Sequence, residues 1–284
     1  MKTSRQLKDL INNIAKNNNI SAQILLKQFF IDRFLERVSL SKYKNNFILK
    51  GGVLVASMVG ATNRATKDMD FTIKGVHLSI AVVKHMIKEI ICIEIDDSTV
   101  FELIDINEIR ENATYMGYRV RLNVSLDKTN DIIQIDITTG DAVFPSAIRY
   151  DYQLLLENRT IKLKVYSIEN VLAEKIETII TKGEFNTRMK DYYDCYILKT
   201  KYGKKIEYSV LKIAIWKTLI SRNTENFLYD ISGTIDRLEK SEELASRWSD
   251  YCRQLKTSKD ISYNETILAI KELLKGAQVL WNIL

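Results

Sequence analysis

Two short stretches decide the fold: Phe47-Ile48-Leu49-Lys50-Gly51-Gly52 and, after a polar loop from Ala61 to Lys67, Asp68-Met69-Asp70-Phe71-Thr72-Ile73. The first is an apolar strand running into paired glycines, after which Val53 to Val59 read as a short helix ending at Gly60. The second is a strand whose period of two turns Asp68 and Asp70 to one side and Met69, Phe71 and Ile73 to the other. Strand, Gly-Gly, helix, strand is the expected nucleus of an α/β half.

Toward the N-terminus, Leu7 to about Val38 reads as helical, with Ile11, Ile14, Ile24, Leu25, Phe29 and Phe30 at near-helical spacing. Toward the C-terminus, Tyr118, Val120, Leu122, Val124 and Leu126 alternate with Arg119, Arg121, Asn123 and Ser125. A turn around Asp127 to Asn130 returns the chain as a strand with Ile133, Ile135 and Ile137 on one face and Gln134, Asp136 and Thr138 on the other. From Ser167 onward helical patterns dominate, as in Leu244, Trp248, Tyr251 and Leu255. The predicted fold class is α+β: a mixed-sheet domain over residues 1–164 with basic N-terminal helices, and a mostly helical domain over residues 165–284.

The 284 residues, 46% apolar and 27% charged, suffice for two compact domains and show no low-complexity tract. Met1 to Lys16 is polar, with neither the apolar centre of a signal peptide nor a run able to span a bilayer, so a cytoplasmic protein without a membrane partner is expected. Cys92, Cys195 and Cys252 are odd in number and far apart, which argues for reduced packing thiols rather than a disulfide framework or zinc site. Net charge is +6, and residues 1–50 concentrate it, with ten Lys or Arg against Asp9, Asp32 and Glu36. That segment is a candidate phosphate-backbone contact surface, or equally a solvated basic helix face.

Asp68 and Asp70 form a pair of hard oxygen ligands whose mutual repulsion a cation such as Mg²⁺ would relieve, although such pairs also occur on plain solvated edges. Gly51 and Gly52 open a helix whose amides could approach phosphate oxygens, or simply make a tight turn. Arg64 and Thr66 offer a cation and a hydroxyl just before Asp68. Asp136 is a candidate third carboxylate on a separate strand, as metal ligand or as base to an attacking hydroxyl, or an exposed Asp. Lys175 falls inside the apolar stripe of Ile168, Val171, Leu172, Ile176 and Ile179, a place lysine rarely takes without a partner. It either snorkels outward or projects into a cleft toward phosphate. Asp191 and Asp194, in Arg188-Met189-Lys190-Asp191-Tyr192-Tyr193-Asp194, share a helical face and could pair with Lys175 or Arg188.

Taken together, Lys50-Gly51-Gly52, Arg64-x-Thr66-x-Asp68-x-Asp70-Phe71, Ile135-Asp136-Ile137, Ala173-Glu174-Lys175 and Arg188-x-Lys190-Asp191-x-x-Asp194 resemble the AbiEii/AbiGii nucleotidyltransferase toxins of the DNA polymerase beta-like superfamily. The resemblance implies a nucleotidyltransferase-like mixed sheet and transfer of a nucleoside monophosphate from an NTP, with Mg²⁺ or Mn²⁺, to an acceptor such as the 3′ end of tRNA. It implies metal binding by Asp68 and Asp70, to which Asp136 is added from its place on the return strand. Nucleotide contacts would come from Lys50, Gly51, Gly52, Arg64, Thr66, Lys175, Arg188 and Lys190, with Asp191 supporting catalysis or orienting Lys175. It further implies a toxin of a toxin–antitoxin or abortive-infection pair, with the antitoxin encoded alongside. Two features depart from the wider superfamily: fifteen residues separate Gly52 from Asp68, a longer gap than usual, and Gly-Gly replaces Gly-Ser. Competing readings are a nucleotidyltransferase that modifies a small molecule such as an antibiotic, and a non-catalytic nucleotide-binding regulator.

Overall fold

The structure, a computed structural model, describes residues 4–18, 20–60, 64, 66–112, 115–254 and 260–279. Contacts divide the chain into two units, residues 1–140 with 147–165, and residues 141–146 with 166–284.

The first unit is built on a seven-stranded mixed sheet. Its strands are β1 (Phe47–Lys50), β2 (Asp68–Ile73), β3 (Val100–Asn112), β4 (Tyr115–Leu126), β5 (Thr129–Thr138), β6 (Ile148–Gln153) and β7 (Thr160–Val165), in the order β3-β4-β5-β2-β1-β7-β6. β1 pairs antiparallel with β2 and parallel with β7, and β2 pairs parallel with β5. Buried on every residue, β1 reads as an unbroken apolar run, as expected of a central strand. Phe47 and Phe71 meet edge to face with ring centroids 5.3 Å apart, so Phe71→Ala should cost about 3–5 kcal/mol of stability.

The helical reading of Leu7 to Val38 resolves into two helices, α1 (Ser4–Asn18) and α2 (Ala22–Leu40). The unit is completed by α3 (Gly51–Val59) and α4 (Ile80–Ile91), which Ser79 caps by accepting from the Val82 amide. β3, β6, β7 and α4 are additions to the elements expected from sequence. The two edge strands, β3 and β6, carry charge along their length, which hides them as strands while discouraging edge-to-edge pairing.

Burial also redistributes the basic N-terminal segment. Arg33 bridges Glu36 and Glu157, and Arg37 grips Asp97 with two bonds of 2.6 and 3.0 Å; both arginines are buried, as is Lys50. Lys27 pairs with Asp131 and Lys42 with Glu89. Much of the excess charge is thus compensated within the fold, and Arg5, Lys8, Lys16, Lys42 and Lys44 are the exposed members among the described residues.

The second unit is helical: α5 (Ile168–Lys182), α6 (Met189–Tyr202), α7 (Tyr208–Arg222), α8 (Ile231–Lys240), α9 (Glu242–Gln254) and α10 (Tyr263–Gly276). Ser167 starts α5 by accepting from the Asn170 amide, and Ser262 with Glu265 forms a reciprocal capping box on α10. Leu244 and Trp248 are buried on α9, and Trp248 donates its indole N–H to the Ile261 carbonyl. The fourth residue of that stripe, Leu255, lies outside the described residues. Among the described residues no helix is long and apolar enough to cross a membrane.

Candidate active site

The antiparallel pairing of β1 with β2 sets Lys50 opposite Asp70, so the chain leaving β1 enters the Gly51-Gly52 turn beside that carboxylate. Gly51 has φ +65°, a left-handed conformation that disfavours a side chain. A Cβ there would lie 2.0 Å from Asp70 Oδ2. A Cβ at Gly52 would lie 2.6 Å from Thr66 Oγ1 and 2.8 Å from an Arg64 guanidinium nitrogen. Both glycines are therefore required by close approach, and α3 begins against a carboxylate, a guanidinium and a hydroxyl. This accounts for the missing serine: the space a side chain at position 52 would occupy is filled by Arg64 and Thr66, returned there by the long segment before β2. Ala61, Thr62, Asn63 and Ala65 of that segment lie outside the described residues.

Parallel pairing of β2 with β5 places Asp68 opposite Gln134 and Asp70 opposite Asp136. Register partners share a face of the sheet, so Asp68, Asp70 and Asp136 lie on one side, while Met69, Phe71, Ile135 and Ile137 fill the core on the other. Asp68 is exposed, Asp70 half-buried and Asp136 buried. The Asp136 carboxylate accepts both Nε and a terminal nitrogen of Arg119, at 2.8 and 2.7 Å. Arg119 is the partner of a candidate site residue that sequence reasoning passed over. Its signal was present, because the β4–β5 hairpin pairs Arg119 directly with Asp136 once the turn is known to be Asp127-Lys128.

Whether these residues suit a divalent cation is decided by their chemistry. Mg²⁺ commonly binds through one or two carboxylates, keeps several waters and takes its other oxygens from substrate phosphates. Asp68 and Asp70 supply two such carboxylates on one face, with Asp70 packed against the Gly51 turn. Asp136 is already engaged by a guanidinium, and among the described residues no group of three or more His, Cys, Asp or Glu is disposed to hold a metal. The residues fit a cation that shares its coordination with a phosphate ligand, rather than an all-protein cage.

In the second unit, α5 carries Lys175 into the core and α6 brings two carboxylates to it. Lys175 Nζ donates to Asp191 Oδ1 at 2.5 Å and lies 3.1 Å from Asp194 Oδ2, while Arg188 Nε donates to Asp191 Oδ2 at 2.9 Å. Lys175 is 7% exposed and both acids are 0% exposed, whereas Arg188 and Lys190 are exposed. Burial pushes the Asp191 carboxyl up, but the charges of Lys175 and then Arg188 outweigh it and hold the group below the usual carboxylate range. Beside this cluster the Cys195 thiol is pushed well up, by burial first and by the two aspartates next.

A mixed sheet in which a Gly-Gly strand-to-helix turn faces an Asp-x-Asp strand is the arrangement of a nucleotidyltransferase. Two solved structures share the fold at 17% identity and a TM-score of 0.52: a provisionally assigned nucleotidyltransferase from H. pylori, matched over 93% of this chain and 97% of its own, and JHP933 from Helicobacter pylori, matched over 93% and 94%. Residues 33–269 match the family described as nucleotidyl transferase AbiEii toxin, type IV TA system, and the chain belongs to that family. It is thus an NTP-using nucleotidyltransferase and the toxin of a toxin–antitoxin system, with an antitoxin as its counterpart. No curated protein matches the chain.

Proposed function

We propose that this toxin transfers a nucleoside monophosphate from an NTP to the 3′ hydroxyl of an RNA acceptor such as tRNA, in a Mg²⁺-dependent reaction at the β2 face. The observation that carries the reading is the meeting of Asp70, Arg64 and Thr66 at the Gly51-Gly52 turn, where α3 begins. Asp68 and Asp70 would hold the cation, which supplies charge neutralisation for the triphosphate and for the leaving group. Backbone amides at Gly51 and Gly52, with Lys50 and Arg64 nearby, favour phosphate oxygens. Thr66 brings to the turn the kind of hydroxyl that Gly-Ser members carry at position 52.

In the step itself, the acceptor oxygen attacks the α-phosphorus and forms the new O–P bond. The bond from that phosphorus to the bridging oxygen breaks, pyrophosphate leaves with the electron pair, and the hydroxyl proton passes to a base. Asp136 is assigned to that role or to the cation, and either requires its grip on Arg119 to loosen. By the family resemblance Lys175 would contact the triphosphate and Asp191 would support catalysis or orient Lys175, with Arg188 and Lys190 as further candidate nucleotide contacts.

The test is incubation of the purified chain with each α-labelled NTP, Mg²⁺ and total tRNA, beside Asp68→Ala. Label in RNA that disappears with EDTA and with the variant is the expected result. Transfer that persists in Asp68→Ala, or no transfer to RNA with any NTP, would overturn the reading. Protection from an antibiotic rather than growth arrest on expression would direct it to a small-molecule acceptor instead.

A further inference from the structure

Between Lys199 and Lys217 the chain holds six lysines against one acid, Glu207. Four of them, Lys199, Lys201, Lys204 and Lys205, line a surface cavity of about 890 Å³ in the helical unit, where α6 ends in a 3₁₀ turn beside α10. Two acids border the cavity, and both are already engaged. Glu272 accepts from Lys199 at 2.7 Å, and Glu265 accepts from the amide and hydroxyl of Ser262 in the α10 cap. Lys204 and Lys205 are exposed at the rim, and the Lys205 ammonium stands 5.9 Å over the Tyr202 ring.

Just past the C-terminal end of α10, Gln278 and Val279 help line a second cavity of about 530 Å³, together with Lys212, Trp216 and Tyr229. Trp216 is 50% exposed and Tyr229 83%, unusual for large rings in a packed helical unit. Single-stranded nucleic acid is bound by this combination of side chains: ammonium groups track phosphates while accessible rings stack on bases, without demanding a base sequence. An anionic membrane surface fits less well, because the lysines line a concavity rather than the polar face of an amphipathic helix that lies flat.

We propose that the helical unit docks the RNA acceptor through these two cavities, with Lys204 and Lys205 against phosphates at the first and Trp216 stacked on a base at the second; the identification of the RNA as acceptor rests on the function proposed above. The test uses the full chain and a fluorescent 12-nucleotide single-stranded RNA, read by anisotropy at several salt concentrations. The variants are Lys204→Glu/Lys205→Glu, the conservative Lys204→Arg/Lys205→Arg, and Trp216→Ala. The charge reversal should weaken binding at least tenfold and make the salt dependence shallower by about 1.4 in logarithmic slope, at roughly 0.7 per lost phosphate contact. The arginine pair should bind as wild type. Trp216→Ala should lose about fivefold or more with its salt slope unchanged. Mg²⁺-NTP binding should be the same in all of them.

Wild-type affinity in the charge-reversal variant would overturn the docking surface, as would binding to phosphatidylserine vesicles in place of RNA. The two proposals fail separately. Lysine-dependent RNA binding without any nucleotide transfer sinks the transfer reading and leaves the docking surface standing. Transfer to RNA with an unchanged KM in Lys204→Glu/Lys205→Glu does the reverse.

Discussion

Two charged clusters in this chain use the same side chains to opposite ends. On the β2 face, Asp68 and Asp70 share one side of a strand, in contact with solvent and beside a turn that admits no side chain. In the helical unit, Lys175 is buried against Asp191 and Asp194 at 2.5 and 3.1 Å, and Arg188 supplies a second positive charge on Asp191. The first sets two carboxylates at an accessible surface, with Lys50 opposite Asp70 and Arg64 at the adjoining turn. The second holds its lysine and both aspartates inside the fold, so these members serve stability whatever else they do. Placement therefore says more than residue type: an accessible like-charge pair points to a ligand, and a buried opposite-charge set points first to folding.

The largest expected difference is in activity. Asp68→Asn/Asp70→Asn should lower nucleotide transfer by about 10³-fold, several kcal/mol of lost charge stabilisation, while denaturant unfolding shows a cooperatively folded chain. Next comes Lys175→Met, which removes the buried cation between Asp191 and Asp194, leaves Asp191 only its Arg188 partner, and should destabilise by about 3–5 kcal/mol in urea titration. Adding Asp191→Asn and Asp194→Asn to it should recover much of that loss, since the uncompensated charges are then gone.

Glycine substitutions sharpen the contrast at smaller scale. Gly51→Ala pays about 1–2 kcal/mol for a left-handed alanine and must also push Asp70 aside, so transfer should fall at least tenfold. Gly183→Ala has a similar φ of +53° but nothing within 4 Å of its Cβ, and should cost only the backbone strain, with transfer unchanged. The smallest effect is in the acid limb of stability. Asp191 has a folded pKa below its unfolded value of about 3.9, so its stabilisation is present above that pH and is lost as pH falls through the depressed value. Urea midpoints measured from pH 5 down to pH 2 should show a shallower acid-side decline in Lys175→Met/Asp191→Asn than in wild type.

Local features of the β2 site were legible in the sequence. Period-two alternation put Asp68 and Asp70 on one side, and the Gly-Gly between an apolar strand and a helix marked the turn. Lys175 stood out as a cation inside an apolar stripe. What could not be read was register. The pairing of Asp70 with Asp136 is a parallel contact between strands more than sixty positions apart, which no local pattern encodes. Arg119 was hidden by the hairpin turn. A turn spanning Asp127 to Asn130 pairs Asp136 with Arg121, whereas the observed two-residue turn pairs it with Arg119. The edge strands escaped for a different reason. β3 has a register shift between Leu103 and Asp105 that breaks its alternation, and β6 exposes most of its residues, so neither shows a buried face in sequence. The basic N-terminus misled in the other direction, because charge counted along the chain does not reveal which arginines are paired inside the fold.

The central claim is that Asp68 and Asp70 form a cation site completed by a triphosphate, and Mn²⁺ titration followed by electron paramagnetic resonance tests it most directly. With a non-hydrolysable NTP present, wild type should bind Mn²⁺ saturably, Lys204→Glu/Lys205→Glu should match it, and Asp68→Asn/Asp70→Asn should lose the site. Saturable NTP-dependent Mn²⁺ binding of undiminished affinity in Asp68→Asn/Asp70→Asn would contradict the account.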